Sequence, residues 1–306
     1  MQSPTGLLIV LCCFLPACAL ATSASLPATA STSSALTAAS ATLIANSSTF
    51  YRFERFSLSS ADQLRHYQVT LGLPNGAMPE QGYPVLYMLD GNAILPVLTD
   101  QLFARLQSDD WPVLVTLGYE VDAQTARVYD YTPSALANTD GATGPKLGDT
   151  ELQFGGAEQF WQLLEQEVKP AVAQRVNIDT TRQTLWGHSF GGLFALHILF
   201  NHPASFQTYV VADASLWWQQ GQILETEAAY RALSARPKAQ LLMLRSASHR
   251  TGSVLPEDAN RQLAKRLSLL PELRVQYYEY FQHHHGSIRA ASVPAALRMA
   301  QGIEQQ

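Results

Sequence analysis

The chain has 306 residues, 47% of them hydrophobic and 15% charged, with a formal net charge of -5. A chain of this size buries about 75% of the surface its unfolded form exposes, which excludes a disordered protein and a small disulfide scaffold. The acidic balance gives no basic footprint for nucleic acid, and beyond the N-terminus no apolar run reaches the ~20 residues that span a membrane.

The composition is uneven along the chain. All three cysteines (Cys12, Cys13, Cys18) lie near the start, and no charged side chain precedes Arg52. Leu7 to Phe14 reads LLIVLCCF, followed by Pro16 and then Ala19-Leu20-Ala21. An apolar run of that length before a small-x-small site predicts a signal peptide over residues 1–21, although its first residues, MQSPTG, bring no Lys or Arg. Leu15-Pro16-Ala17-Cys18 also reads as a lipobox with proline at an unusual place, so lipidation at Cys18 is the alternative to cleavage after Ala21. Residues 22–48 are a Ser/Thr/Ala tract without charge or amphipathic period, the composition of a flexible spacer. The expected location is periplasmic or secreted. Cleavage leaves a folded part, residues 49–306, without cysteine, which excludes a thiol nucleophile and thiolate zinc sites.

From Phe50 onward, strand-like and helix-like segments alternate. Phe50 to Leu58 and Arg65 to Leu73 have the alternation of antiparallel strands, the second closed by Pro74-Asn75-Gly76. Pro84 to Leu89 and Trp111 to Leu117 are continuous apolar runs, the pattern of strands buried on both faces of a mainly parallel sheet. Similar runs recur at Thr184 to Trp186, Thr208 to Ala212, Gln240 to Leu244 and Arg274 to Phe281. Helices are expected over Gly156 to Ala173, Gly192 to Asn201, Ala228 to Ala235 and Asp258 to Leu270. With no internal repeat and no second linker, the pattern predicts one three-layer α/β domain around a mainly parallel eight-stranded sheet.

Within it, Gly187-His-Ser-Phe-Gly191 centres on Ser189. Average composition produces the bare G-x-S-x-G pattern by chance in roughly one chain of this length in ten, so its setting carries the argument. A short apolar strand precedes it and an apolar helix follows, the arrangement of a nucleophile elbow. A serine hydroxyl needs an adjacent base. His197 and His202 lie on or just after the elbow helix, whereas Gln282-His-His-His-Gly-Ser287 follows the last strand, where a loop would deliver a base to the C-terminal edge of the sheet. His285, followed by glycine, is the chosen base. Three consecutive histidines point in divergent directions, so a metal site is not expected, nor is any cofactor. For the oxyanion hole, the amide of Phe190 is one expected donor and that of Asn92, in Leu89-Asp-Gly-Asn-Ala93, the other.

With these pieces the chain resembles the esterase-D-like branch of the α/β-hydrolases, and most closely the siderophore esterases that hydrolyse enterobactin-type trilactones. The resemblance rests on Tyr87-Met-Leu-Asp-Gly-Asn-Ala93, Arg127-Val-Tyr-Asp-Tyr-Thr-Pro133, Gly155-Gly-Ala-Glu158 with Phe160 and Lys169-Pro170, the elbow, Ser215-Leu-Trp-Trp218 and His285-Gly-Ser287, in family order. It implies an α/β-hydrolase fold, Ser189 as nucleophile, His285 as base, and Arg127 beside the site holding an anionic or catecholate group. The alternative for Arg127 is a structural pairing with Asp130. The chain departs from the family at Asp213-Ala-Ser, where Ser-Pro-Ser is common, and the segment after the seventh strand, Arg245 to Ser253, has no carboxylate. Asp213, Glu257 and Asp258 stay open as a third member, and the resemblance is compatible with a Ser-His dyad. The expected activity is siderophore ester hydrolysis. The alternatives are a general carboxylesterase of feruloyl or acetyl type, an acyltransferase, and a non-catalytic binding domain on the same fold.

Overall fold

Eight principal strands form one sheet. They are β1 (Tyr51–Ser59), β2 (His66–Pro74), β3 (Tyr83–Met88), β4 (Val113–Tyr119), β5 (Ile178–His188), β6 (Thr208–Ala212), β7 (Ala239–Ser246) and β8 (Leu273–Tyr280). Their order is β1-β2-β4-β3-β5-β6-β7-β8, and the two-residue segment Thr42–Leu43 pairs to the outside of β1 as a ninth. β2 runs antiparallel to both its neighbours, and every pair from β4 to β8 is parallel. This is the expected α/β-hydrolase sheet. The computed structural model describes residues 42–43, 48–106, 108–121, 123–135, 146–147, 150–248 and 254–303. All of these fall in one compact unit, Ala39–Gln306. The expected leader, Cys18, the expected cleavage site at Ala21 and most of the expected spacer lie outside the described residues.

Period-two alternation sorts the strand side chains onto two cores. Val85, Tyr87, Leu185, Tyr209 and Leu241 face one, and Leu86, Met88, Trp186, Val210 and Leu242 face the other. The first face is covered by helices that include α3 (Ala123–Tyr131), α4 (Ala157–Leu163), α6 (Phe190–Asn201), α7 (Ile223–Arg231) and α8 (Ala259–Leu267). The second lies under α1 (Gly91–Ile94), α2 (Asp100–Leu106), α9 (His285–Ala291) and α10 (Val293–Ala300). The expected helix over 156–173 is realised as α4, a π-helical turn Leu164–Val168, and α5 (Lys169–Ala173). Pro170 has no N–H and its ring presses on the preceding turn, which widens ahead of it.

Two differences from the sequence reading matter for the site. The fifth strand begins at Ile178 rather than at Thr184, because Ile178 already pairs with Tyr83 of β3 ahead of a register shift, and pairing resumes at Gln183. The loop after β8 also ends at His284: His285 is the first residue of α9, and α10 follows directly.

Candidate active site

The elbow works by close approach. A side chain at Gly187 would put Cβ 2.1 Å from the carbonyl oxygen of Gly191, an immovable backbone atom. The demand falls unevenly on the motif: a Cβ at Gly191 would meet nothing nearer than Leu89 at 3.4 Å, whereas one at Gly192 would lie 3.1 Å from Cα of Ala214. The turn forces Ser189 to φ 60° and ψ -116°, a conformation that L residues seldom adopt. Its backbone is pinned to the end of β6 and the segment after it, with Ser189 N–H donating to Ala212 O at 3.0 Å and Ser215 N–H donating to Ser189 O at 3.1 Å.

His285 Nε2 lies 3.0 Å from Ser189 Oγ, and His285 Nδ1 lies 2.7 Å from Oδ2 of Asp213. A carboxylate only accepts, so the proton sits on Nδ1 and the lone pair of Nε2 faces the serine hydroxyl. Of the three acids left open by the sequence, Asp213 is the one that meets His285. Asp258 begins α8 and accepts from Gln262 at 2.8 Å, and Glu257 lines the cavity rim. Asp213 follows the end of β6 in a left-handed conformation, φ 48°, and only 4% of its side chain is exposed. Burial alone would raise its pKa. Hydrogen bonds from His285 and Ser246 and the Arg245 cation outweigh that and hold it at about 2.

The imidazole is held by its backbone as well. His188 and Trp186 project from the same face of β5 toward the C-terminal helices. His188 Nε2–H donates to the carbonyl of His285 at 2.7 Å, and Trp186 Nε1–H donates to Ser292 Oγ at 3.0 Å between α9 and α10. Ser248 Oγ accepts from the His285 amide at 2.9 Å. Burial, and then the neighbouring His285, push the His188 pKa down to about 4, so it stays neutral. The histidine run divides its work: His284 caps α9, accepting from the amides of Gly286 and Ser287, and His283 lies 3.3 Å from Ser287 Oγ. Among the described residues no group of three or more His, Cys, Asp or Glu side chains forms a metal site.

Ser189, Phe190, Asp213 and His285 open on a cavity of about 550 Å³, walled by Ser215, Leu216, Trp217, Leu255 and Pro256. Asn92 and Arg127 lie outside that lining. Asn92 sits in the first turn of α1, its side chain locked to the backbone of Tyr119 by two hydrogen bonds of 2.8 Å. The suggested pairing of Arg127 with Asp130 is corrected. Arg127 binds Asp90 through two bonds of 2.6 and 3.0 Å and lies 5.7 Å from the Phe190 ring centroid. Asp130 turns away to Tyr67, Tyr119 and Arg65, at 2.9, 3.0 and 3.1 Å.

Residues 60–270 match the model of the Esterase family. The chain belongs to the Esterase family. The esterase is 42% identical over 172 residues to the apo-salmochelin esterase of Escherichia coli O6:H1, a match covering 55% of this chain and 53% of that protein. It therefore spans about half the length of that relative. It is 31% identical over 261 residues to the ferri-bacillibactin esterase BesA of Bacillus subtilis, covering 79% of this chain and 87% of the other. Among solved structures, the esterase superimposes on the BES protein from Bacillus cereus with a TM-score of 0.71 at 29% identity, covering 84% of this chain and 97% of that one. Against the enterobactin and salmochelin hydrolase IroE the TM-score is 0.67 at 31% identity, with the same coverage. Its relatives are thus hydrolases of carboxylic esters, and several carry siderophore substrates in their names.

Sequence reasoning named Ser189 and His285 and weighed Asp213, and the structure brings the three together. It missed the supports: His188 entered only as the variable position of the elbow, and Arg245, Ser246 and Ser248 only as a segment lacking a carboxylate. A histidine directly before Ser189, on the strand face opposite Gly187, was the available signal for the first.

Proposed function

We propose that this esterase hydrolyses siderophore ester bonds by acyl transfer through Ser189. The carrying observation is the continuous hydrogen-bonded line Ser189, His285, Asp213 at the mouth of the cavity. His285 Nε2 takes the Ser189 proton as Oγ attacks the ester carbonyl. The amides of Phe190 and Asn92 hold the oxyanion, and Asp213 keeps the imidazole in its working tautomer and stabilises the imidazolium. His285 then protonates the departing alcohol, and water, activated by the same base, releases the acid.

The siderophore substrate is supported by the relatives, whose names specify salmochelin, bacillibactin and enterobactin, and by a cavity wall that carries Trp217 for aromatic groups. Arg127 would hold an anionic or catecholate group. The leader places the enzyme outside the cytoplasm in this reading, and the mass of the mature N-terminus, beginning after Ala21 or at lipidated Cys18, tests that part.

The deciding experiment compares apo and ferric trilactone siderophores with p-nitrophenyl and feruloyl esters, using Ser189→Ala as the blank. Siderophore kcat/KM at least about tenfold above the simple esters supports the proposal. Equal or greater turnover of simple esters makes the enzyme a general carboxylesterase. Turnover rising with added alcohol makes it an acyltransferase, and no turnover above the blank makes it a binding domain.

A further inference from the structure

The end of β7, where the sequence offers no carboxylate, carries a cation instead. Arg245 is the penultimate residue of the strand, and its guanidinium folds back over the site with its side chain only 16% exposed. Nη1 donates to Oδ1 of Asp213 and lies 3.2 Å from Ser246 Oγ, and Nη2 donates to the carbonyl of Ser248. Those two acceptors support His285 from opposite sides. Asp213 holds Nδ1 of the imidazole, and Ser248 Oγ holds the backbone amide of the same residue. Ser246 closes the set, donating to Oδ2 of Asp213 at 2.6 Å and accepting from the Ser248 amide at 3.2 Å.

We infer that Arg245 is a positioning residue for the base: its fork spans the acid and the loop that carries the second support, fixing imidazole direction and backbone height together. The inference rests on the proposed serine mechanism. Asp213 has a left-handed backbone just past the end of β6, outside any helix or strand. The planar two-armed guanidinium restrains its carboxylate in a way one ammonium cannot. Arg245 lines the cavity, and three of its five N–H bonds go to Asp213, Ser246 and Ser248, so the role assigned to it is exerted through Asp213 and Ser248.

The test uses Arg245→Lys and Arg245→Met in the full chain with p-nitrophenyl acetate, circular dichroism to verify folding, and fluorophosphonate labelling of Ser189. Misplacing a catalytic group by about 1 Å costs about 100-fold, so kcat should fall about 10- to 100-fold in both variants, with KM changed less than about threefold. Lysine should give no more than about a threefold recovery over methionine, since it keeps the charge and loses the span. In an Asp213→Ala background, Arg245→Met should cost less than about threefold more, because the seat it maintains is already gone. If Arg245→Met does not fold, Arg245→Lys carries the test alone. A folded variant with kcat within about twofold of wild type, or an undiminished loss in the Asp213→Ala background, would overturn the role. Failure of the wild type itself to label would instead overturn the serine mechanism.

Discussion

His285 and Asp213 approach to 2.7 Å across 72 residues of chain, joining the helix after the last strand to the end of β6. Asp213 thus lies next to the elbow strand in the sheet, one strand nearer Ser189 than β7. Asp213→Asn preserves the shape but offers an amide N–H where the imidazole needs an acceptor, favouring the wrong tautomer. A fall in kcat of about 10⁴-fold is expected, with Asp258→Asn within about twofold of wild type. Steady-state kinetics on a simple ester checks both, and an unimpaired Asp213→Asn would leave a dyad.

The elbow holds Ser189 at φ 60°. Replacing it by glycine removes a strained conformation, so Ser189→Gly should gain about 1 kcal/mol over Ser189→Ala in urea unfolding, both variants being inactive. Gly187→Ala should do the reverse and abolish soluble expression, given the 2.1 Å approach to Gly191 O. Equal midpoints for the two Ser189 variants would show that the turn is unstrained.

His188 is neutral in the fold, its pKa lowered from 6.5 to about 4 by burial and by His285. Between those values the unfolded chain binds the proton and the native state does not, so stability is complete above about pH 6.5 and declines as pH falls toward 4. The full difference is worth about 3 kcal/mol. His188→Gln should therefore lose less stability than wild type between pH 7 and 4. His197, also depressed to about 4 by burial, contributes equally to both proteins and cancels. Parallel stability curves for the two proteins would contradict this assignment.

Asp90 is 8% exposed and takes both arms of Arg127. Removing one member strands the other, so Arg127→Leu should cost about 3 kcal/mol, and adding Asp90→Asn should restore most of it. Chemical denaturation of the four proteins in the cycle measures the coupling. Additive losses would show that the pair is not a structural unit.

The parallel core was legible because strands buried on both faces, such as Val113–Tyr119, are continuous apolar runs. The helix at His285 was hidden: its cap is a histidine, and its first turn, His-Gly-Ser, has the composition of a loop. The signal present was Ser287 three residues beyond the cap, where it closes a capping box. The acid stayed open because residue spacing does not say which strand end faces His285, and that depends on the left-handed turn at Asp213. Arg127 lies 5.7 Å from the Phe190 ring centroid, but its partner Asp90 lies 37 residues away, beyond the reach of local pattern.

His285 differs from its partner in one respect that bears on turnover. Its side chain is 49% exposed while that of Asp213 is 4% exposed. In the proposed reaction the imidazole shuttles a proton while touching bulk water on one side and a buried anion on the other. A stray proton left on Nε2 after an abortive encounter can exchange directly with solvent, so the resting state is regenerated without a wire of internal donors.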